Sequence, residues 1–307
     1  MKSVRSGRSV MEKNEKKSDL EATPHPRIYY YPGCSLMSTA RDLGDSLFQM
    51  ARLVGSWLEE LNDWNCCGAS PAHSVNQNYA LLLAGRNLVL AERQGIRDLF
   101  VICPSCFVRL RTAEKTLIAE PDKNDLLEEA VGKRYQGSVR LRFFLEVGSA
   151  SQMNVFREAV INPLKGLKGV LYFGCLLTRP EWITGFDVLP YEDELRSFVE
   201  ALGVETLDWG YGKQCCGAHL ALTKPDHVDT LVDRIRDHAR RVGANCMISF
   251  CPLCQVNMEL RGKNSEPLPV FYVSELIGMA CRLPRTEKWI RKHLVDPREL
   301  LAEHNLL

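Results

Sequence analysis

Little in this sequence is in excess, and several familiar signals are missing. No apolar run reaches the ~18–20 residues needed to cross a bilayer. The richest stretch, ALLLAGRNLVLA, is broken by Arg86 and Asn87. Neither sign of charge dominates. With 39 basic residues against 38 acidic ones, nothing invites nucleic acid or an anionic membrane surface. There is no GxGxxG fingerprint for a bound dinucleotide. The first 26 residues, MKSVRSGRSVMEKNEKKSDLEATPHP, have no apolar core of a secretory signal, and their acidic residues argue against a transit peptide. Residues 1–26 read as a disordered or partner-ordered tail, and the expected compartment is the cytoplasm.

What is present is cysteine: twelve in 307 residues. In a reducing compartment, cysteines at short repeated spacings are metal or cluster ligands more often than disulfides. NCCGAS at 65–70 sets two side by side, and QCCGAH at 214–219 nearly copies it. The copying extends outward. Cys34 is followed by 31 residues, the pair Cys66 and Cys67, 35 residues, then Cys103-Pro-Ser-Cys106. Cys175 is followed by 39 residues, the pair Cys215 and Cys216, 34 residues, then Cys251-Pro-Leu-Cys254. Flanking residues repeat as well, YYYPGC against LYFGC and VICPSCFVRL against ISFCPLCQVNMEL. The extra length of the second half falls near TRPEWITGFDVLPYE. Cys246 and Cys281 have no counterparts and read as small buried apolar residues.

The pattern of apolar residues places the motifs. Ile28–Tyr31 reads as a short strand ending at Gly33-Cys34, and Ala40, Leu43, Leu47, Met50, Ala51 and Val54 then recur at helical spacing. A strand at Trp57–Leu61, a helix over 76–94 and a strand at DLFVIC complete the first half. The second repeats it with VLYF, a helix near 191–202, VETLD, a helix near 225–242 and MISF. This alternation predicts an α/β fold of two pseudo-symmetric domains from an internal duplication, each a short, mostly parallel sheet flanked by helices. The expected bounds are 27–150 and 165–285, with a C-terminal extension at 286–307. All ten repeated cysteines then lie at or beyond the carboxyl ends of strands, where open α/β sheets build their sites.

Structural zinc needs four ligands, so each half would have a thiol to spare. A cubane iron–sulfur cluster also takes four. Neighbouring side chains in an extended segment diverge, so a CC pair serves a single ion poorly and a polynuclear cluster better. Gly68 and Gly217 suit a backbone folded close against such a cluster. Residue chemistry therefore reaches an iron–sulfur site with more than four thiolates, with zinc in one or both halves as the alternative.

The doubled pattern, over roughly residues 28–262, resembles the CCG-domain (cysteine-rich) family, and within it the B subunit of heterodisulfide reductase. The resemblance implies a noncubane [4Fe-4S] cluster in each half. Cys34, Cys66, Cys67, Cys103 and Cys106 would hold one, and Cys175, Cys215, Cys216, Cys251 and Cys254 the other. It also implies reduction, or formation in reverse, of a disulfide bound between the clusters. Electrons would come from a small iron–sulfur protein and a flavin-containing protein, each like its counterpart in the heterodisulfide reductase complex. The implied substrate is the coenzyme M/coenzyme B heterodisulfide or sulfur on a lipoate-carrying protein. An alternative is an electron-transfer subunit of a quinone-linked dehydrogenase complex, since CCG domains also occur there. His73 and His219, six and three residues beyond the CC pairs, are candidate proton donors to substrate. Arg109 and Arg111 read either as a partner-docking face or as a solvated helix face.

Overall fold

The computed structural model describes residues 26–69, 72–144, 150–185 and 188–307. The expected N-terminal tail lies outside the described residues except for Pro26. Among the described residues, eight short strands fall into two sheets. The first comprises β1 (Arg27–Tyr31), β2 (Trp57–Glu60), β3 (Asp98–Val101) and β4 (Arg140–Phe143), in spatial order β2-β1-β3-β4. The second comprises β5 (Lys168–Tyr172), β6 (Glu205–Thr206), β7 (Cys246–Ser249) and β8 (Val270–Tyr272), in order β6-β5-β7-β8. Every pairing is parallel. The two halves therefore share one topology, as the repeat predicts.

Each strand order reverses between its two inner strands. That is the switch point at which a parallel sheet opens a crevice beyond its carboxyl edge. In the first sheet β1 delivers Cys34 and β3 delivers Cys103 to that point; in the second β5 delivers Cys175 and β7 delivers Cys251. The loops after β2 and β6 bring the CC pairs.

The sheets hold because both faces are covered. In β7, Met247 and Ile248 point to opposite faces and both are fully buried. The helix Pro225–Arg241 turns Val228, Val232, Ile235 and Ala239 inward at helical spacing and exposes Asp226, Arg234, Arg240 and Arg241. Helix Gln77–Arg93 starts at Asn76, whose side chain accepts the Tyr79 N–H at 3.0 Å. β4 and β8, both edge strands, have no counterpart in the sequence reading, nor do the helices Pro121–Val131 and Val273–Ala280.

The halves do not fold as separate beads. One continuous core contains Leu47 and Tyr30 of the first half together with Phe198, Val273 and Leu276 of the second. Ser46 Oγ and Ser274 Oγ lie 2.7 Å apart across the junction, both buried. The insertion that lengthens the second half carries the short helix Glu181–Thr184, which packs on the first half's helix Pro104–Ala119. Among the described residues no helix is long and apolar enough to cross a membrane.

Candidate functional site

Each five-cysteine set gathers at its own switch point. In the first half the Cys67 and Cys106 sulfurs are 3.3 Å apart, and Cys34 meets Cys66 as Cys103 meets Cys106. In the second half Cys175 and Cys215 are 3.4 Å apart, as are Cys216 and Cys254, and Cys251 meets Cys254. None of the ten is in a disulfide. Cys246 and Cys281 belong to neither set. Cys246 is wholly buried in β7, where burial pushes its thiol up to about 12, and Cys281 is buried at the end of helix Val273–Ala280.

The same local devices position both sets. Cys103 and Cys251 are the N-cap residues of helices Pro104–Ala119 and Pro252–Leu260. Proline at the first helical position costs no hydrogen bond there. The second cysteine of each CxxC then sits in the first turn, and the Ser105 and Cys106 N–H groups face the Cys103 sulfur. Behind each CC pair stands a buried tyrosine from the end of an inner strand. Tyr31 donates to the Asn65 carbonyl at 2.7 Å, and Tyr172 donates to the Gln214 carbonyl at 2.7 Å. Burial, then the nearby thiols, pushes both phenols far up, so they remain O–H donors. Asn87 grips the Asn65 backbone through both amide atoms, at 2.9 and 3.0 Å, and Asn257 donates to the Cys216 carbonyl at 2.7 Å. Sequence reasoning assigned none of these four a role. The repeat of a tyrosine just before each GC was the available signal.

The glycines divide differently from expectation. Gly68 and Gly217 do take left-handed backbone, φ +74° and +77°, but a Cβ there would meet Leu83 and Leu231 rather than a thiol. The close approach to sulfur occurs at Gly33, where a Cβ would stand 2.9 Å from Cys106 Sγ, and at Gly174, 3.2 Å from Cys254 Sγ. Gly33 also has φ +67°. Gly33→Ala should therefore displace Cys106 and carry about 1–2 kcal/mol of backbone strain. The expected result is a chain with less iron in its first half and a lowered Tm, read by metal analysis and thermal unfolding.

Sulfur chemistry decides whether the sets suit a metal cluster. The touching thiols share protons unequally. The Cys34 contact pulls Cys66 down to about 2 and pushes Cys34 up, and the Cys175 contact pulls Cys215 down to about 6 while Cys175 rises. Five sulfurs packed this closely cannot all be thiolates beside one another unless cationic metal sits among them. Ten thiols in two tight sets, with Cβ-free backbone against them, fit polynuclear iron–sulfur ligation.

The two sets approach each other across the junction, where the Cys103 thiol of the first half and the Cys251 thiol of the second shift each other's protonation, Cys103 downward and Cys251 upward. A recess of about 320 Å³, continuous with solvent, lies there. Its lining includes Cys175, Cys215, Cys251 and His219 from the second half and Pro104 from the first. His219 sits in the turn Ala218–Leu220, and His73 in the short helix Ala72–Val75. Burial, followed by Arg109 and then His73, holds the His219 imidazole below its usual value, so the three side chains share one neighbourhood. Arg109 is half-buried there, and Arg111 is paired with Glu114 at 2.5 Å. Neither arginine lies on a freely solvated helix face.

The profile of the CCG cysteine-rich domain matches this chain twice, over residues 28–111 and 170–259. The chain belongs to the CCG cysteine-rich domain family. Among its relatives is the membrane anchor subunit of the 8-methylmenaquinol:fumarate reductase of Wolinella succinogenes, 29% identical over 280 residues, covering 88% of this chain and 98% of the relative. The B subunit of the Ferredoxin/F(420)H(2)-dependent CoB-CoM heterodisulfide reductase of Methanosarcina acetivorans is 29% identical over 263 residues, covering 78% of this chain and 84% of the relative. The B subunit of the fumarate reductase (CoM/CoB) of Methanothermobacter marburgensis is 21% identical over 84% of this CCG chain, which spans 47% of that relative. A hypothetical protein from Helicobacter pylori shares the fold, with a TM-score of 0.65 at 11% identity, over 89% of this chain and 52% of that one.

Proposed function

We propose that this CCG protein is the disulfide-handling subunit of a multi-subunit oxidoreductase, with a noncubane [4Fe-4S] cluster on each cysteine set. The observation that carries the reading is the recess that Cys175, Cys215 and Cys251 of the second half line together with Pro104, the neighbour of Cys103, from the first. Cleaving a disulfide takes two electrons and two protons: RS–SR′ gains both and leaves as RSH and R′SH. Clusters held by the two cysteine sets would supply two one-electron centres to match that count and Lewis acidity toward the separating sulfurs.

The chain's own residues bind and orient. The Arg109 guanidinium lies near the site and favours anionic character in the substrate, whether a thiolate leaving group or an acidic substituent. His219 lines the recess and His73 lies beside it, so either can deliver a proton to a departing sulfur. Electrons enter from partner proteins, one a small iron–sulfur protein and the other a flavoprotein, and the substrate is a small heterodisulfide or sulfur on a lipoate-carrying protein. Similarity to the B subunit of a heterodisulfide reductase over 84% of that relative supports this assignment.

A second reading has its own support. The match to the membrane anchor of a menaquinol-linked fumarate reductase extends over 98% of that relative. On this reading the clusters relay single electrons and no disulfide is turned over. The test is anaerobic: cluster-loaded protein, a reduced viologen as donor, and a panel of small and lipoyl disulfides. Dye oxidation in step with thiol release at two electrons per disulfide supports the reductase. Reversible one-electron exchange with the dye and no thiol from any disulfide would favour the relay.

A further inference from the structure

Away from the cysteines, the junction of the two halves buries three carboxylates and a histidine. Asp42 lies in the first turn of the first-half helix Arg41–Leu53, Glu275 lies in helix Val273–Ala280, and His293 follows helix Thr286–Ile290. One oxygen of each of these two carboxylates and a ring nitrogen of His293 lie within 4.8 Å of one another, and all three residues are buried. We propose that Asp42, Glu275 and His293 bind a divalent first-row cation such as Mn²⁺ or Zn²⁺.

The strongest support comes from outside the three ligands. His293 Nδ1 lies 2.8 Å from Glu259 Oε1, and neither side chain is exposed. Glu259 is fixed in turn by the backbone N–H groups of Val270 and Leu294, at 3.0 and 2.8 Å. With Nδ1 donating to this carboxylate, the imidazole presents Nε2 toward Glu275, whose Oε1 is 3.3 Å away. A carboxylate holding the far nitrogen of a histidine is the usual arrangement behind a metal-binding imidazole. Glu275 is itself oriented, because its Oε2 accepts the Tyr272 N–H at 2.9 Å.

Charge points the same way. Glu259 accepts two backbone N–H groups, while Asp42 and Glu275 face the same imidazole edge in a buried site, with the Lys292 charge also acting on Asp42. A divalent ion balances both carboxylates and leaves the imidazole neutral. Ligand atoms ~2.1 Å from one ion stand roughly 3–4 Å apart, so small shifts close the site. One nitrogen and two oxygens suit Mn²⁺, Fe²⁺ or Zn²⁺ and offer nothing to a soft ion. Bound there, the ion ties the first-half helix Arg41–Leu53 to the C-terminal segment.

Mn²⁺ is the probe of choice because thiolates do not favour it. The full chain, purified anaerobically and washed free of adventitious metal with its iron and sulfide retained, is titrated while the free Mn²⁺ resonance is followed. One saturable site per chain is expected, and the pulsed spectrum of bound Mn²⁺ should show coupling to one imidazole nitrogen. Asp42→Asn and His293→Gln should each weaken binding at least ~10-fold, and Glu259→Gln by roughly 10–100-fold. Iron and sulfide contents should be unchanged in all three. Absence of a saturable site, absence of nitrogen coupling, or equal affinity in the variants would overturn the proposal in favour of a metal-free imidazolium–carboxylate cluster. The wild-type arms decide the matter even where a variant fails to accumulate.

Discussion

Cys67→Ser and Cys216→Ser should each yield a protein with about four irons in place of about eight, and each should lose the spectrum of its own half. Both residues look dispensable if four ligands suffice, because a cubane or a zinc site in either half could use the remaining thiols. Position argues otherwise. Cys67 is 3.3 Å from Cys106 and Cys216 is 3.4 Å from Cys254, each buried on the inner side of its set. Serine removes the thiolate and leaves a hydroxyl that binds iron far less well. Metal and sulfide analysis, with spectra of both variants beside the parent, provides the check. Unchanged iron in both variants would show that the second cysteine of each CC pair is a bystander.

A larger effect is expected on turnover. Loss of either set alone should cut disulfide reduction about a hundredfold or more, the scale of losing a group that acts in the transition state. The intact half should still exchange single electrons with dye. This follows from the recess, which Pro104 of the first half lines together with Cys175, Cys215 and Cys251 of the second. Cys106→Ser and Cys254→Ser are suitable probes, because each thiol is buried within its own set. Half-activity in either variant would mean that the two sites work independently and that the shared recess carries no chemistry.

Much of this arrangement was legible in the residues. The ten-cysteine repeat, the strands that end at Cys34, Cys103, Cys175 and Cys251, and the main crossover helices all follow from local pattern, since each is fixed within a few tens of residues. The edge strands β4 and β8 were not, although the opposite edges, β2 and β6, were read. In β4 the run Arg140–Phe143 alternates charge and apolar residues, with Arg140 and Arg142 both bonded to Asp98 on β3. Its strand character depends on that neighbour. β8 spans only Val270–Tyr272, too short to show a period. The role of Gly33 escaped notice because a close approach to Cys106, 73 residues further along, cannot be seen in a window of sequence. The junction between halves was equally invisible. Ser46 with Ser274, Cys103 with Cys251, and Asp42 with Glu275 and His293 are all products of docking two similar units. No repeat within one unit encodes them.

The account rests on both cysteine sets holding iron–sulfur clusters, and the direct measurement is iron, acid-labile sulfide and zinc per chain in anaerobically purified protein. Two four-iron clusters predict about eight irons and about eight sulfides, with no zinc held by sulfur. Stoichiometric zinc in sulfur coordination with little sulfide would contradict the account and return the cysteines to structural zinc.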